Sequence, residues 1–518
     1  MLSLYKKVFY RKQRILTHEQ LGKNMQTEEP TQLSESNTSV EWPHSFLRVG
    51  VARADVTPPV GIYHRMWGAA EHDRAEGVHR PLTATVLHLA PEQDSHADGV
   101  YLVALDHCLL WPREMRQLLR QAAVVGGIPM ENLYVCFSHT HAAGLLGRER
   151  QHLPGGELLV EYLDRLGRTL GSLIIQARSA CQPAVVVYVY GRCSLGRNRD
   201  YYDSQRRQYV CGFNPAGVAD DRVLVGRITD YAGRPIAVVV NYACHPTTLG
   251  WQNRLISPDY VGAMREVVER EVGAPCLFFQ GASGDVGPRE GFVGDCGVAD
   301  RNGRQLGYAV LEALCDLPPP NHRFVYVGPV LSGATLGTWS YVLLREEQRH
   351  RARQWDARRI SVRLGLRRDL PDIGTVTNQF EDWQERYERA RQAGDYALVA
   401  EARARVEQAR RWMTRLQHVS ASEDCFELIV PVWRFGEAVW IALNGEYYNV
   451  LQRSLRDKFD RYALCIITLV NGSDIWYVPD SAAYGKGIYQ VDTSMVDENG
   501  LNTIVQELTN TISTMIME

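Results

Sequence analysis

Residues 137–144 read FSHTHAAG and close the longer run NLYVCFSHTH, an apolar stretch of strand length that ends in polar, potentially reactive side chains. Side chains alternate along a strand, so His139 and His141, two positions apart, are expected on one face and able to converge on one point. Such a pair offers two nitrogen ligands to a metal. Taken alone, a His-x-His is more often two hydrogen-bonded imidazoles, so further ligands are needed.

Similar runs recur on both sides of this stretch. LTATVLHLA, GVYLVALDHCLL, AVVVYVYG, PIAVVVNYACHP and PCLFFQG read as strands, whereas PREMRQLLRQAAVV, ELLVEYLDRLGRTLGSLIIQA and PDYVGAMREVVERE repeat apolar residues at three and four and read as helices. Pro and Gly punctuate the joins. The pattern predicts an α/β protein of layered mixed β-sheets flanked by helices. Further on, CFELIVPVWRFGEAVWIAL predicts a β-hairpin turning at Gly436, followed by the helix EYYNVLQRSLRDKF and the strand YALCIITLV.

Between about 341 and 418 the composition changes to Arg, Glu and Ala, with AGD at 393–395 as a turn, which predicts an inserted helical hairpin. Trp383, Tyr387 and Ala390 fall on one helical face and Val406, Ala409 and Met413 on another, as packing seams; the charges read as a solvated face. Residues 1–45 read as a disordered lead-in, because 22–45 are polar without hydrophobic periodicity, and 46–518 as one domain that carries the insertion.

The chain has 518 residues, 45% hydrophobic and 23% charged, with a formal net charge of −3. That balance makes no case for nucleic acid. No run reaches the roughly 18 apolar residues of a spanning helix, so no integral membrane segment is expected; Lys6, Lys7, Arg11 and Lys12 leave room for a peripheral contact. The basic N-terminus lacks a signal-peptide apolar core, and the eleven cysteines form no C-x-x-C pair, which together predict a cytoplasmic chain with buried thiols.

Three more strands end in candidate chemistry. His245 follows a β-branched run and precedes Pro246, which stops the strand; Gly281, Gly284 and Gly287 permit a tight path around Asp285; and Glu446 is expected in the first turn of a helix entered from a strand. Three histidines and a carboxylate suit zinc in a catalytic site with one position kept for water. Singly, each also has a structural reading, and spacing cannot join residues hundreds of positions apart.

The set FSHTHAAG, NYACHPTT, QGASGDVGP, LNGEYYNV and NGSDIWYVPD, in this order, resembles the catalytic domain of the neutral ceramidase family, the zinc-dependent N-acylsphingosine amidohydrolases; VGVARADVTPP and GVHRPLTATVLHL resemble its start. The resemblance spans about 47–495, the helical insertion being its least family-like part. It implies that His139, His245, Glu446 and Tyr477 hold Zn²⁺, that His141 is the catalytic neighbour, and that Asp285 and Arg199 belong to the site. It also exposes a departure, since the family's serine in Gly-Asp-Val-Ser-Pro is Gly287 here, which rules out a covalent serine route at that position. Zinc suffices for direct water attack on an amide, because it lowers the pKa of water to roughly 7 and polarises a carbonyl.

The expected activity is therefore zinc-dependent hydrolysis of an amide (N-acyl) bond in a small-molecule or lipid substrate. Hydrolysis of an ester, a lactone or a small polar amide is the alternative, because Gly287 and the absence of the secreted enzymes' C-terminal β domain put ceramide itself in question. A non-catalytic metal-containing binding protein is a third reading. Asp106, His107 and Asn198 are expected near the pocket, and Ser283, four residues before Gly287, is a remote substitute for the serine.

Overall fold

The computed structural model describes residues 38–93, 99–417 and 424–517. Lys6, Lys7, Arg11, Lys12 and most of the expected disordered lead-in lie outside these residues. The chain divides into two compact units, Met1–Val40 with Phe324–Val342, and Glu41–Arg323 with Leu343–Glu518. In the first, the strand Ser39–Val40 pairs with the strand beginning at His322, whose other neighbour is Ala334–Leu343. A serine and a valine expected in the lead-in thus form a strand edge.

The second unit is built on an eight-stranded sheet: β1 (His44–Asp55), β2 (Thr83–Pro91), β3 (Val100–Leu105), β4 (Leu133–Phe137), β5 (Gln182–Arg192), β6 (Arg222–Thr229), β7 (Pro235–Tyr242) and β8 (Cys276–Gln280). The spatial order is β8-β7-β6-β5-β1-β2-β3-β4, parallel at the outer pairs β7/β8 and β3/β4 and antiparallel between them. A second sheet has the order β9 (Trp355–Gly365), β10 (Cys425–Phe435), β11 (Ala438–Ala442) and β12 (Ala463–Ile467).

Period-two alternation assigns each strand's faces. In β3, Tyr101, Val103 and Leu105 pack toward α1 (Pro112–Gly126) and α2 (Leu159–Ser179), while Val100 and Leu102 join a core shared with Trp433, Phe435 and Trp440 of the second sheet. In β8, Cys276 and Phe278 face α3 (Tyr260–Val272) and α4 (Cys296–Cys315), and Leu277 and Phe279 face the second sheet. The outer face of that sheet, with Val439 and Ile441, is covered by α7 (Asn449–Lys458) and α8 (Gly500–Met517). Helices thus flank two stacked mixed sheets, as expected, and burial of both faces is why the strands read as unbroken apolar runs.

The helical hairpin is narrower than the sequence predicts. It consists of α5 (Ile373–Ala393) and α6 (Tyr396–Leu416), joined at Gly394 with φ 71°. The earlier part of the expected insertion holds β9, which pairs along its whole length with β10. Its arginines at 358, 359 and 363 mask the alternation of Ile360, Val362 and Leu364, which pack inward.

An ion cluster ties α6 to the body. The buried Glu407 accepts from Arg150 Nη2 at 2.7 Å and Arg411 Nε at 2.9 Å, and Arg150 is fully buried. Burial alone would raise the Glu407 carboxyl; the Arg150 and Arg411 charges override it and hold it down to about 2. A depressed carboxylate pKa gives stability that is present above its unfolded value and lost as pH falls toward the folded one. Glu407→Gln is therefore expected to cost about 3 kcal/mol at pH 7, a deficit that shrinks between roughly pH 4.5 and 2. Urea unfolding of both proteins across that range checks it; a deficit independent of pH contradicts it.

Candidate functional site

The eight-stranded sheet is curled enough that its edge strands β4 and β8 approach each other, and Cys136 of β4 bridges to Val470. Segments that follow β4, β7, β8 and β11 thereby meet at one place. His139 lies two residues past β4, His245 three past β7, and Glu446 four past β11. Strand ends are where α/β folds gather chemistry.

His139 and His141 are not on the strand. β4 ends at Phe137, and His139 has φ 70°, the left-handed conformation. Its N–H donates to the His107 carbonyl (2.9 Å), and the Nδ1 side of its ring is fixed by the Cys108 carbonyl (2.9 Å). The two rings stand nearly perpendicular, at 88°, so they meet through a sharp turn rather than through a shared pleat. Glu446 also differs from expectation. It precedes α7 and forms a two-residue parallel ladder with Tyr477, its N–H donating to the Trp476 carbonyl (2.8 Å).

The Nε2 atoms of His139 and His245 lie 3.2 Å apart, and Glu446 Oε2 is 3.3 Å and 3.0 Å from them. All three residues are buried. Each imidazole has its Nδ1 against a carbonyl, Cys108 for His139 and Ser283 at 2.7 Å for His245, which assigns the proton to Nδ1 and turns the Nε2 lone pair inward. Two lone pairs and a carboxylate oxygen so close repel unless a proton or a metal cation lies among them. The donor set, two imidazole nitrogens and one carboxylate oxygen, fits zinc.

The electrostatics agree. Burial opposes charge on all three groups, yet the Cys108 and Glu446 charges raise His139 well above the usual imidazole range, and the two histidines hold the Glu446 carboxyl well below its own. Burial, then the Arg199 charge, lowers His245 to about 3. The surroundings favour one positive charge at the centre of the cluster. Cys108, His139 and His141 form a second, overlapping group of possible ligands.

His141 sits at the mouth of this cluster, its Nε2 3.3 Å from His139 Nε2 and its buried Nδ1 without a partner among the described residues. Burial and the two neighbouring imidazoles push it well below the ordinary histidine range. Arg199 is buried; it donates through Nη2 to the Gly284 carbonyl (2.7 Å) and the Tyr477 hydroxyl (3.1 Å), and this nitrogen is 3.5 Å from His245 Nε2. Tyr477 stacks on His245 at 6.3 Å between ring centres.

Asp285 lies one layer back. Its carboxylate accepts from the Asn449 N–H at the start of α7 (2.6 Å) and from Asn198 Nδ2 (3.2 Å), and its carbonyl accepts the Arg199 N–H (2.9 Å). Burial and the nearby Asp200 push it up to about 7. Its geometry is that of a residue that positions Arg199. Asp106 is committed to Arg265 (2.8 Å), and His107 to the Tyr162 hydroxyl (2.5 Å). Gly284 meets the Tyr447 carbonyl so closely that a Cβ would lie 2.9 Å from it, whereas a Cβ on Gly287 would find Arg199 Cδ at 3.6 Å and Thr247 Oγ1 at 3.8 Å, ordinary contacts. The backbone at 287 therefore has room for a small side chain. Ser283 Oγ faces His245 Nδ1 (3.2 Å) on the side away from the Nε2 cluster.

A cavity of about 720 Å³ opens over the cluster, reaching His141, Arg199 and Tyr477. Sequence reasoning missed most of its wall. Trp67, Trp251 and Phe292 line one part, and α6 supplies Arg411, Trp412 and Arg415, the charged face that reads as solvated. The spacing of Ala404, Gln408, Arg411 and Arg415 marks one helical stripe, but nothing in it says which surface it covers.

Layered α/β architecture with a buried His-His-Glu donor set at converging strand ends, beneath a cavity, defines a class: α/β proteins with a candidate metal centre. No family model matches the chain. Neutral ceramidase A of Dictyostelium discoideum is 24% identical over 263 residues, 47% of this chain and 36% of that protein. Neutral ceramidase B of the same organism is 25% identical over 236 residues, 41% and 32% of the two chains. This chain thus spans about a third of the length of the curated relatives it matches. A crystal structure of neutral ceramidase from Pseudomonas aeruginosa shares its fold, with TM-score 0.57 and 15% identity over 90% of this chain and 74% of that one. A ceramidase complexed with C2 gives 0.58 at the same identity and coverage. The chain is thus similar in sequence to neutral ceramidases over less than half its length, and it shares the fold of the solved ceramidases.

Proposed function

We propose that this protein is a zinc-dependent amidohydrolase that cleaves an N-acyl bond by attack of water. The observation that carries the reading is the convergence of His139 Nε2, His245 Nε2 and Glu446 Oε2 to within 3.3 Å, beside a cavity and with both Nδ1 atoms committed elsewhere. His139, His245 and Glu446 would hold the ion, with Tyr477 against it. Zinc in that position supplies Lewis acidity toward the carbonyl and a lowered pKa for water.

The chain's own residues do the rest. His141, which lines the cavity and stands with its Nε2 3.3 Å from His139 Nε2, accepts the proton of the attacking water and returns it to the leaving amine. The Tyr477 hydroxyl, aligned by the hydrogen bond it accepts from Arg199 Nη2, donates toward the oxygen that becomes negative as the carbonyl turns tetrahedral. Asp285 holds Arg199 by its main chain. Gly287 removes a competing hydroxyl, so the amide is opened by water directly.

The ceramidase names of the relatives point to a lipid amide, and no helix of the described residues is long and apolar enough to cross a membrane. Purified protein is expected to contain one zinc per chain by elemental analysis and to hydrolyse N-acyl amides in a manner abolished by chelation and restored by zinc. Turnover that survives complete removal of the metal, or a zinc-loaded protein inert toward every amide tried, would overturn the reading.

A further inference from the structure

We propose that Arg415 on α6 is the anion receptor of the substrate cavity, so that the compound cleaved carries a carboxylate or phosphate group on one side of its amide. The scissile bond rests on the hydrolase reading above; the anion preference rests on the cavity alone.

Arg415 is 4% exposed and lines the cavity that reaches His141. Among the described residues its guanidinium has no ion pair and no hydrogen bond, and its buried Nε is without a partner. This sets it apart from the other arginines of the cavity wall, of which the exposed Arg405 donates to Gln408 Oε1 (3.2 Å). Arg411 and Arg150 share Glu407, and Arg403 pairs with Asp73. Arg199 is spent on the Gly284 carbonyl and Tyr477.

A buried cation without a counter-ion is costly. Burial weakens the hold of Arg415 on its proton, lowering it to about 10. Such a group persists where an anion completes it. The side chain is also held in position to receive one, because its guanidinium lies 3.9 Å from the centre of the Trp476 ring and 5.1 Å from that of Trp412. Stacking on two indoles orients the planar fork while leaving its edge donors free, the geometry suited to carboxylate or phosphate oxygens. Trp476 is joined to the donor cluster, since its carbonyl receives the Glu446 N–H. The receptor is thus anchored one residue from Tyr477, close to the proposed scissile bond.

The remaining charges of the wall do not cancel it. Arg199, Arg405, Arg411 and Arg415 face Glu401 and Glu407; Glu401 is exposed, and Glu407 is already shared by two arginines. A neutral amide would leave Arg415 uncompensated, whereas Trp67, Trp251 and Phe292 accept an apolar acyl part.

The test uses the zinc-loaded full chain and three matched ligands in which a methylene replaces the scissile carbonyl. One ends in a carboxylate, one in a phosphate and one in a primary alcohol. Titration calorimetry is expected to show the better anion binding about 30-fold or more tightly than the alcohol, as for one desolvated charge-assisted pair. Arg415→Met, matched in length and able to pack between the indoles, is expected to bring that ratio near one, and Arg415→Lys to keep part of it. The carboxylate and phosphate arms identify which oxyanion is preferred. Equal binding of the alcohol by the unaltered protein overturns the proposal, as does a ratio that survives in a folded Arg415→Met variant. Should the methionine variant fail to fold, the unaltered protein and the lysine variant still decide. Failure of the hydrolase reading registers separately, as absence of turnover on the corresponding amides while the binding preference remains.

Discussion

Protein carrying alanine at both His139 and His245 is expected to purify without stoichiometric zinc and to lose at least about a thousandfold in kcat/KM, the effect of withdrawing several kcal/mol of transition-state stabilisation. The two residues supply two of the three converging donors, and Glu446 alone offers one carboxylate in a buried space. The substitutions also strip the Cys108 and Ser283 carbonyls of their imidazole donors, which predicts a destabilisation of about 1–3 kcal/mol for each group left unpaired. Elemental analysis and thermal unfolding read the two effects apart. A folded double variant that keeps one equivalent of zinc would place the metal elsewhere.

Replacement of His141 by alanine is expected to have the second largest effect, a loss of about a hundred- to ten-thousandfold in kcat/KM with the zinc content unchanged, as for removal of a general acid–base group. The ring is oriented by Trp67 at 5.1 Å and by the His139 edge, and its main-chain N–H is held by the Pro246 carbonyl (3.3 Å). It therefore stands ready without being locked into the donor set. Metal analysis of the same variant is decisive, because His141 also belongs to the overlapping group with Cys108 and His139. Zinc lost together with activity would make it a ligand and not the proton carrier.

Much of the fold is legible in the sequence because its strands are buried on both faces. Runs such as PIAVVVNY and CLFFQ admit no other placement of so much apolar surface, and the strands β7 and β8 follow them closely. The hairpin at Gly436 is legible from its turn, and the structure gives that glycine φ 57°. β9 is not, because arginines on its exposed face imitate the composition of the helices beside it. The end of the lead-in escapes notice for a related reason: Ser39 and Val40 are too short to show any pattern, and their pairing partner lies near residue 324.

At the site, the residue types are readable and their arrangement is not. His139 and His141 converge, but through a left-handed turn after the strand, and Glu446 through a ladder with Tyr477 that no helical signal announces. The charged face of α6 reads as a face for water. A helix shows its stripe in sequence but not what the stripe opposes, and here it opposes the cavity, so Arg411 and Arg415 carry no sign of their place in it.

By itself the sequence determined most of the strands and helices, which side chains are of metal-ligating type, and that position 287 offers no hydroxyl. Those are local properties, written in periodicity and residue type. Only the tertiary structure decided that the curled sheet brings His139, His245 and Glu446 within 3.3 Å, and that Arg415, buried and without an ion pair among the described residues, lines the neighbouring cavity. Distances between residues hundreds of positions apart depend on how the sheets close, and the charge state of a cavity depends on every group that faces it.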